Sequence, residues 1–248
     1  MATATATAIA VAAEPPGRHV RDWAAMSTQG IRLIAVEGGD GVGKATTARC
    51  VARVLADRGH RVVAEAFPRY EGPYGAAIRA SLRRPDATTS RALFSERALL
   101  FALDRSDFAA GLADGAVVVA DRWTASNAAY LCALTGEEEP ASWVEDLEHG
   151  RLALPRAELT LHVTTAGGVQ AERIAARADA DATRATDRFE EDLPLQARVV
   201  RAYGRFAERG FGGRWTTIVN DGSIAELEAA VGAVLQSAVR SSVNVTPS

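Results

Sequence analysis

Cysteine and histidine are scarce in this chain of 248 residues, and each scarcity excludes a class of protein. The two cysteines, Cys50 and Cys132, are too few for a disulfide framework, so a reducing cytoplasm is the simplest compartment. The four histidines lack the spacing of metal ligands, which argues against a structural zinc site. A formal net charge of −3 gives no basic excess, so we expect no nucleic-acid partner.

The rest of the composition, with 48% hydrophobic and 24% charged residues, is that of a globular protein and predicts no membrane association. Residues 1–29 begin with Ala-Thr repeats and are predicted to be a disordered extension. Their first arginine, Arg18, follows the apolar part, which is the wrong order for a signal peptide. We expect one domain over residues 30–238 and a flexible tail over residues 239–248.

Short apolar runs alternate with longer amphipathic stretches from Ile31 onward, a pattern typical of strand and helix units in a parallel sheet. The predicted strands are Ile31–Val36, Arg61–Phe67, Ala116–Ala120, Leu159–Val163 and Trp215–Val219. The predicted helices are Lys44–Asp57, Thr88–Asp114, Thr124–Leu134, Ala141–Arg151, Val169–Arg177, Leu193–Glu208 and Ile224–Ser237. The predicted fold class is therefore α/β, with a five-stranded parallel sheet flanked by helices.

The single lysine of the chain lies in a glycine-rich segment. Of 28 basic residues 27 are arginine, so a replaceable lysine would have been lost and Lys44 looks chemically required. Residues 38–44 fit the pattern G-x-x-x-x-G-K between a strand and a helix, where backbone amides and the lysine bind a polyphosphate. The predicted ATP-binding residues are Gly38, Gly39, Asp40, Gly41, Val42, Gly43, Lys44, Ala45 and Thr46.

Ala45 departs from this phosphate-loop pattern, which usually has a serine or threonine after the lysine to hold Mg²⁺. Three interpretations stay open. Carboxylates and phosphates hold the metal, or Thr46 substitutes for the missing hydroxyl, or the site binds nucleotide without turning it over.

An acid and an arginine, Asp121 and Arg122, end the aliphatic third strand. This position is the carboxyl edge of the sheet, where open α/β sheets bind their ligands. An arginine there can bind a phosphate through two parallel hydrogen bonds. Because a phosphate loop belongs to the same sheet, we prefer this function to a structural ion pair.

Several segments in register resemble bacterial thymidylate kinases over about Ile31 to Leu235. The segments are Val36–Lys44, Phe67–Tyr70, Leu100–Arg105, Asp121–Trp123, Ser126–Tyr130 and Asp187–Glu190. The resemblance implies a P-loop fold with a small lid, and transfer of the γ-phosphoryl group of ATP to dTMP. It also implies Mg²⁺ as cofactor and a homodimer. Trp123 replaces the tyrosine or phenylalanine usual in the family and is expected to change the shape of the pocket.

The resemblance also implies roles at the phosphates. Lys44 would bind the ATP phosphates, and Arg122 would clamp the acceptor phosphate with help from Arg69. Asp40 would lie near the metal and the 3′-hydroxyl of the acceptor. Glu190 would support the metal or the acceptor side.

At the base, the resemblance implies that Phe101 stacks on thymine and that Arg105 donates to O4. It also implies that Asn127 contacts the N3/O4 edge of the base. Phe101 and Arg105 are four residues apart, so a helix presents them on one face. Further substrate contacts are implied for Phe67 and Pro68 as pocket walls, Tyr130 against ribose, and Asp187.

The arginine-rich segment from about 173 to 188 resembles the lid of these kinases. Arginines on a mobile loop can close over transferring phosphates and neutralise developing charge. Arg177 or Arg184 is the predicted catalytic arginine, without a choice between them.

Two alternatives to a dTMP kinase stay open. The first is a kinase for another nucleoside monophosphate or a deoxynucleoside, which would share the phosphate loop and the strand-end arginine. The second is a nucleotide-binding module without turnover, suggested by Ala45.

Overall fold

The computed structural model describes residues 32–84, 91–112, 115–166 and 192–243. Predictions for the N-terminal extension and for the lid lie outside the described residues. The same holds for the predicted roles of Arg177, Arg184, Asp187 and Glu190. Within the described ranges, no helix is both long and apolar enough to cross a bilayer.

Five parallel strands form a single sheet in the order β2-β3-β1-β4-β5. They are β1 Leu33–Glu37, β2 Val62–Ala66, β3 Val117–Asp121, β4 Leu159–Thr164 and β5 Trp215–Val219. Each predicted strand is confirmed, with ends that differ by at most two residues. The α/β fold class with a five-stranded parallel sheet flanked by helices is also confirmed.

Seven α-helices and one π-helical turn connect the strands within the described residues. The helices are α1 Lys44–Asp57, α2 Gly75–Leu82, α3 Arg91–Ala110, α4 Thr124–Thr135, α5 Glu139–Glu145, α6 Leu193–Arg209 and α7 Ile224–Val243. The π-helical turn, Asp146–Arg151, directly follows α5.

Four of these helices differ from the prediction. The predicted helix Ala141–Arg151 begins at Glu139 as α5 and continues from Asp146 as the π-helical turn. Helix α2 was not predicted, because its eight residues carry only a short apolar pattern. Helix α3 ends at Ala110, four residues before the predicted end. Helix α7 continues to Val243, so part of the segment predicted as a flexible tail is helical.

The sheet separates two layers of helices, because successive strand residues point to opposite faces. Strand residues such as Ile34, Val36 and Leu161 pack on one face against α1 and α7. On the other face, Ala35 and Val118 pack with residues of α3. Helices α4 and α6 complete that second layer through an apolar cluster that includes residues of α3 and α5.

The strand register brings the ends of β1 and β3 side by side. Val36 of β1 pairs with Asp121 of β3, and Glu37 pairs with His162 of β4. The phosphate-loop segment after β1 and the Asp-Arg pair at the end of β3 therefore meet at one edge of the sheet. This edge is where parallel α/β sheets bind ligands.

Two leucines near the start of α6 test how this second layer is stabilised. Leu195 is fully buried in the cluster that α6 forms with α4, whereas Leu193 is 70% exposed. We expect Leu195→Ala to lower the free energy of unfolding by about 2–5 kcal/mol, since it leaves a cavity. The matched variant Leu193→Ala should change it by no more than about 0.5 kcal/mol. Urea unfolding measures both values, and equal losses would contradict the packing described.

Candidate active site

The loop between β1 and α1 curls tightly over the start of the helix. Gly43 precedes α1 with a φ of 91°, a left-handed conformation that glycine adopts at little cost. A Cβ on Gly38 would lie 2.4 Å from the carbonyl oxygen of Val163, so no side chain fits there. Asn220, after β5, donates from Nδ2 to the carbonyl oxygen of Val42 at 2.9 Å. The loop is thus anchored to β4 and to the end of β5.

Lys44 lies against this loop and is only 7% exposed. Its Nζ donates to the carbonyl oxygen of Gly39 at 2.6 Å and lies 3.6 Å from Oδ1 of Asp40. Burial and the nearby charge of Arg122 lower the pKa of Lys44 to about 8, although neighbouring carboxylates oppose the shift. The ammonium is therefore held beside the loop by one carbonyl and one carboxylate, which phosphate oxygens can replace.

The carboxylate of Asp40 joins residues from four parts of the fold. It forms an ion pair with Arg122 and accepts from the Tyr130 hydroxyl at 2.5 Å and from Gln196 Nε2 at 2.9 Å. Burial would raise the pKa of Asp40, but the charges of Arg122 and Lys44 outweigh it and hold the pKa well below its usual value. Asp40, Lys44, Arg122 and Tyr130, all predicted site residues, are thus brought together. Gln196 was missed by sequence reasoning.

Arg122 has an unusual backbone conformation, with a φ of 71° directly after β3. Its backbone N–H donates to the carbonyl oxygen of Val36 at 3.0 Å, so the turn is tied to β1. Its guanidinium lies 5.6 Å from the centre of the Tyr130 ring. A non-glycine residue held in this region is strained, and such residues concentrate at functional sites.

A fully buried carboxylate, Glu37 at the end of β1, holds this turn in place. It accepts from the Trp123 backbone N–H at 2.7 Å, the Ser126 hydroxyl at 2.6 Å and the Tyr203 hydroxyl at 2.9 Å. Burial raises the pKa of Glu37, and these hydrogen bonds oppose the shift. Glu37 was not predicted as a site residue, although an acid that ends a buried strand needs donors.

The predicted base-reading residues form a second cluster, on α3 and α4. Arg105 is 3% exposed and Asn127 is 5% exposed, whereas Phe101 is only half-buried. Arg105 and Asn127 meet at the carboxylate of Glu148, at distances of 2.6–2.8 Å. Phe101 lies one helical turn before Arg105 on α3 and is partly exposed, and its stacking on a base stays a prediction. Glu148 was missed by sequence reasoning.

Arg69 is bound to residues of α3. Its guanidinium donates to Asp104 at 3.0 Å and to Asp107 at 2.7 Å. Its backbone N–H also donates to Asp104, at 2.8 Å. Both carboxylates are bound through Nε and Nη2, so Nη1 is the part of the guanidinium that could face a phosphate, and the role of Arg69 there stays a prediction.

The aromatic residues around the predicted pocket belong to the core. Phe67 is 4% exposed and packs edge-on against Phe108 and Trp123, with ring centres 5.2 and 5.3 Å apart. Trp123 is 1% exposed and donates from its indole N–H to the carbonyl oxygen of Pro155 at 3.0 Å. Its ring packs behind Phe67, and the effect of Trp123 on the shape of the pocket stays a prediction. Pro68 follows Phe67 through a cis peptide bond and is half-buried.

The sheet edge contains a carboxylate, that of Asp121, that fits Mg²⁺. Within the described ranges, no three His, Cys, Asp or Glu side chains are grouped to hold a metal ion. Mg²⁺ in nucleotide sites needs only one or two carboxylates, because phosphates and waters supply the other oxygens. Asp121 Oδ1 is buried and forms no hydrogen bond in the described part of the chain, so it fits this demand.

The hydroxyl groups that follow Ala45 are already engaged within α1. Thr47 donates to the carbonyl oxygen of Gly43 at 3.1 Å, and Thr46 accepts from Arg49 at 3.0 Å. The Thr46 hydroxyl keeps a second lone pair, so its substitution for the missing hydroxyl stays a prediction, and Asp121 Oδ1 is a further candidate ligand.

Comparison with known proteins agrees with this geometry. The family model described as thymidylate kinase matches residues 36–231. Thymidylate kinases of Mycobacterium tuberculosis, strains CDC 1551 / Oshkosh and H37Rv, are each 36% identical over 196 residues, which cover 76% of this chain and 92% of theirs. A thymidylate kinase of Xanthomonas campestris is 39% identical over 108 residues, 42% of this chain and 45% of its own. With a phosphate loop, a strand-end arginine and these relatives, the chain belongs to the thymidylate kinase family.

Proposed function

We propose that this protein is a thymidylate kinase, which transfers the γ-phosphoryl group of ATP to dTMP and releases ADP and dTDP. The observation that carries the proposal is the ion pair between Asp40 of the phosphate loop and Arg122 at the end of β3. This ion pair joins Arg122, which would hold the acceptor dTMP, to the phosphate loop, which would hold the donor ATP. Membership in the family supports dTMP as the acceptor.

The donor nucleotide would bind at the loop between β1 and α1. Its phosphates would accept from the loop amides at the N-terminus of α1 and from Lys44, which would exchange the carbonyl oxygen of Gly39 for phosphate oxygens. Because Lys44 is already buried and held, little side-chain freedom is lost when nucleotide binds.

The acceptor would lie between Arg122 and the base-reading cluster. Arg122 would hold the phosphate of dTMP so that one of its oxygens attacks the γ-phosphorus of ATP while the bond to ADP breaks. This reaction needs positioning and charge neutralisation and no covalent enzyme intermediate. Tyr130, held by Asp40, would stand against the 2′ position and disfavour ribose.

We extend the proposal to Mg²⁺ as cofactor, with Asp121 as a ligand and Asp40 close by. When bound, the ion would neutralise phosphate charge. Asp121 would share it with phosphate oxygens, which makes a hydroxyl at position 45 unnecessary. The role predicted for Glu190 at the metal lies outside the described residues.

The homodimer and the cytoplasmic location are retained as predictions. Neither follows from a contact within the described residues, and both accompany the kinase proposal as properties expected of such an enzyme.

A panel of acceptors tests the proposed function. With ATP and Mg²⁺, we expect kcat/KM to fall in the order dTMP, then dUMP, with dCMP and purine monophosphates poor. The 4-amino group of cytosine would face the guanidinium of Arg105 donor against donor, which should cost dCMP about tenfold to a hundredfold relative to dTMP. A coupled assay of ADP release measures the order. Equal rates for dCMP and dTMP would contradict the thymidylate assignment, and no product with any acceptor would favour a binding module.

The pH dependence of nucleotide binding tests the role of Lys44. The pKa of Lys44 is about 8 in the free protein, and bound phosphates would raise it, so binding above pH 8 must take up a proton. The affinity for ATP should therefore be constant below pH 8 and fall above it, by at most about tenfold per pH unit. Isothermal titration calorimetry from pH 7 to 9.5 measures this change.

Lys44→Ala provides the control for this titration, because it removes the titrating group. We expect ATP binding to be weaker at every pH, without the decline above pH 8. A wild-type affinity that stays constant up to pH 9.5 would show that Lys44 does not contact the phosphates.

A further inference from the structure

We propose that Glu148 is the positioning residue that sets the hydrogen-bond pattern with which the protein reads the acceptor base, because its carboxylate joins Arg105 and Asn127 on neighbouring helices. The inference rests on the proposed function, since it concerns the base of the acceptor nucleotide. It goes beyond that function by naming a residue that does not touch the substrate.

The carboxylate of Glu148 is fully buried and accepts three hydrogen bonds. Oε2 accepts from Nε of Arg105 at 2.8 Å, and Oε1 accepts from Nη2 of Arg105 at 2.6 Å. Oε1 also accepts from Nδ2 of Asn127 at 2.7 Å. A buried carboxylate and a buried guanidinium require each other as partners, which keeps this arrangement in place.

This arrangement dictates which way the amide of Asn127 faces. An ionised carboxylate only accepts hydrogen bonds, so Asn127 must turn its nitrogen and not its oxygen toward Glu148. The second hydrogen of that nitrogen goes to the carbonyl oxygen of Ala98, at 3.0 Å. Both amide hydrogens are thereby used, and Oδ1 is what Asn127 can offer to a ligand.

Arg105 is fixed by its contact with Glu148, which leaves it with donors to offer a ligand, whereas Asn127 offers an acceptor. Its Nε and one hydrogen of Nη2 point to Glu148, so the donors of Nη1 are left for a ligand. The pair therefore presents an acceptor oxygen, from Asn127, together with N–H donors, from Arg105.

This pattern matches one class of pyrimidine. Thymine and uracil carry a donor at N3 and an acceptor at O4, which complement an asparagine oxygen and an arginine N–H. Cytosine carries an acceptor at N3 and a donor at the 4-amino group, so both contacts would be mismatched. A buried mismatch leaves polar groups unpaired and is strongly disfavoured.

The backbone around Glu148 is also specialised. Glu148 lies in the π-helical turn Asp146–Arg151, and its carbonyl oxygen accepts from the N–H of Leu154 at 2.8 Å. It follows the buried residues Pro140 and Val144 at intervals of four, so it occupies a core-facing position. π-Helical turns are rare in proteins overall, and many of those that occur are found at functional sites.

Glu148→Gln tests the proposal, because glutamine has the same shape but can also donate. Glutamine has one acceptor oxygen in place of two, so it cannot accept all three hydrogen bonds from Arg105 and Asn127, and the two side chains lose their common partner. We expect the ratio of kcat/KM for dTMP to kcat/KM for dCMP to fall at least about tenfold, mainly through KM for the two acceptors. KM for ATP should change by less than about twofold, because the phosphate loop is formed by other residues.

Glu145→Gln is the matched control. Glu145 lies on α5 three residues before Glu148, and its carboxylate pairs with Arg156 at 2.5 Å while more than a third of it is exposed. This variant should keep the dTMP to dCMP ratio of the wild type. The conservative variant Glu148→Asp keeps an acceptor-only carboxylate and should retain most of the ratio.

A ratio unchanged in a folded Glu148→Gln protein would overturn the positioning role while leaving the kinase proposal intact. A wild type that forms no product from ATP and dTMP would overturn both. Should Glu148→Gln fail to fold, a crystal structure of the wild type with dTMP decides. Oδ1 of Asn127 facing N3, with Glu148 still bound to Arg105 and to Nδ2 of Asn127, supports the positioning role, and an Asn127 nitrogen facing the base overturns it.

Discussion

The buried carboxylate of Glu37 is the contact on which the geometry of the sheet edge depends. It accepts hydrogen bonds from the turn between β3 and α4 and from Tyr203 on α6, so it joins three elements that are distant in sequence. Leaving such a carboxylate without donors would cost several kcal/mol, roughly the loss seen when a buried ion pair is broken. The turn that carries Arg122 is therefore held in its strained conformation beside the phosphate loop.

Three acidic side chains, those of Glu37, Asp40 and Glu148, have separate roles in the proposed site. Glu37 fixes the backbone around Arg122, and Asp40 neutralises Arg122 and Lys44 while no phosphate is bound. Glu148 holds the base-reading side chains Arg105 and Asn127 in place, as Glu37 holds the turn after β3. Glu37 and Glu148 act through other residues. The groups that would contact the substrate are therefore mainly cationic side chains, such as Lys44 and Arg122, and amide groups.

The fold and the phosphate loop could be predicted because both depend on local patterns. The strand and helix periods identified all five strands, and helix α1 was predicted with the bounds it has in the structure. Lys44 was identified by its solitary occurrence next to the glycines. The partners of the positioning acids Glu37 and Glu148 could not be identified in this way, because sequence alone does not show which strand ends and helix faces meet.

The burial of Glu148 could be predicted from the sequence, but its partners could not. Its spacing from Pro140 and Val144 places an acid on an apolar helix face, which indicates a buried partner. The π-helical turn and the two partners on other helices depend on tertiary packing. Gln196 and Asn220 reach the phosphate loop from α6 and from the end of β5, and no local motif marks either residue.

A crystal structure of the protein with dTMP and a non-hydrolysable ATP analogue tests this account most directly. We expect thymine to stack on Phe101, with O4 accepting from Nη1 of Arg105 and N3 donating to Oδ1 of Asn127. Glu148 should keep its contacts with both residues, and the acceptor phosphate should lie on Arg122 in front of the phosphate loop. A base bound elsewhere, or an asparagine amide turned with its nitrogen toward thymine, would contradict the account.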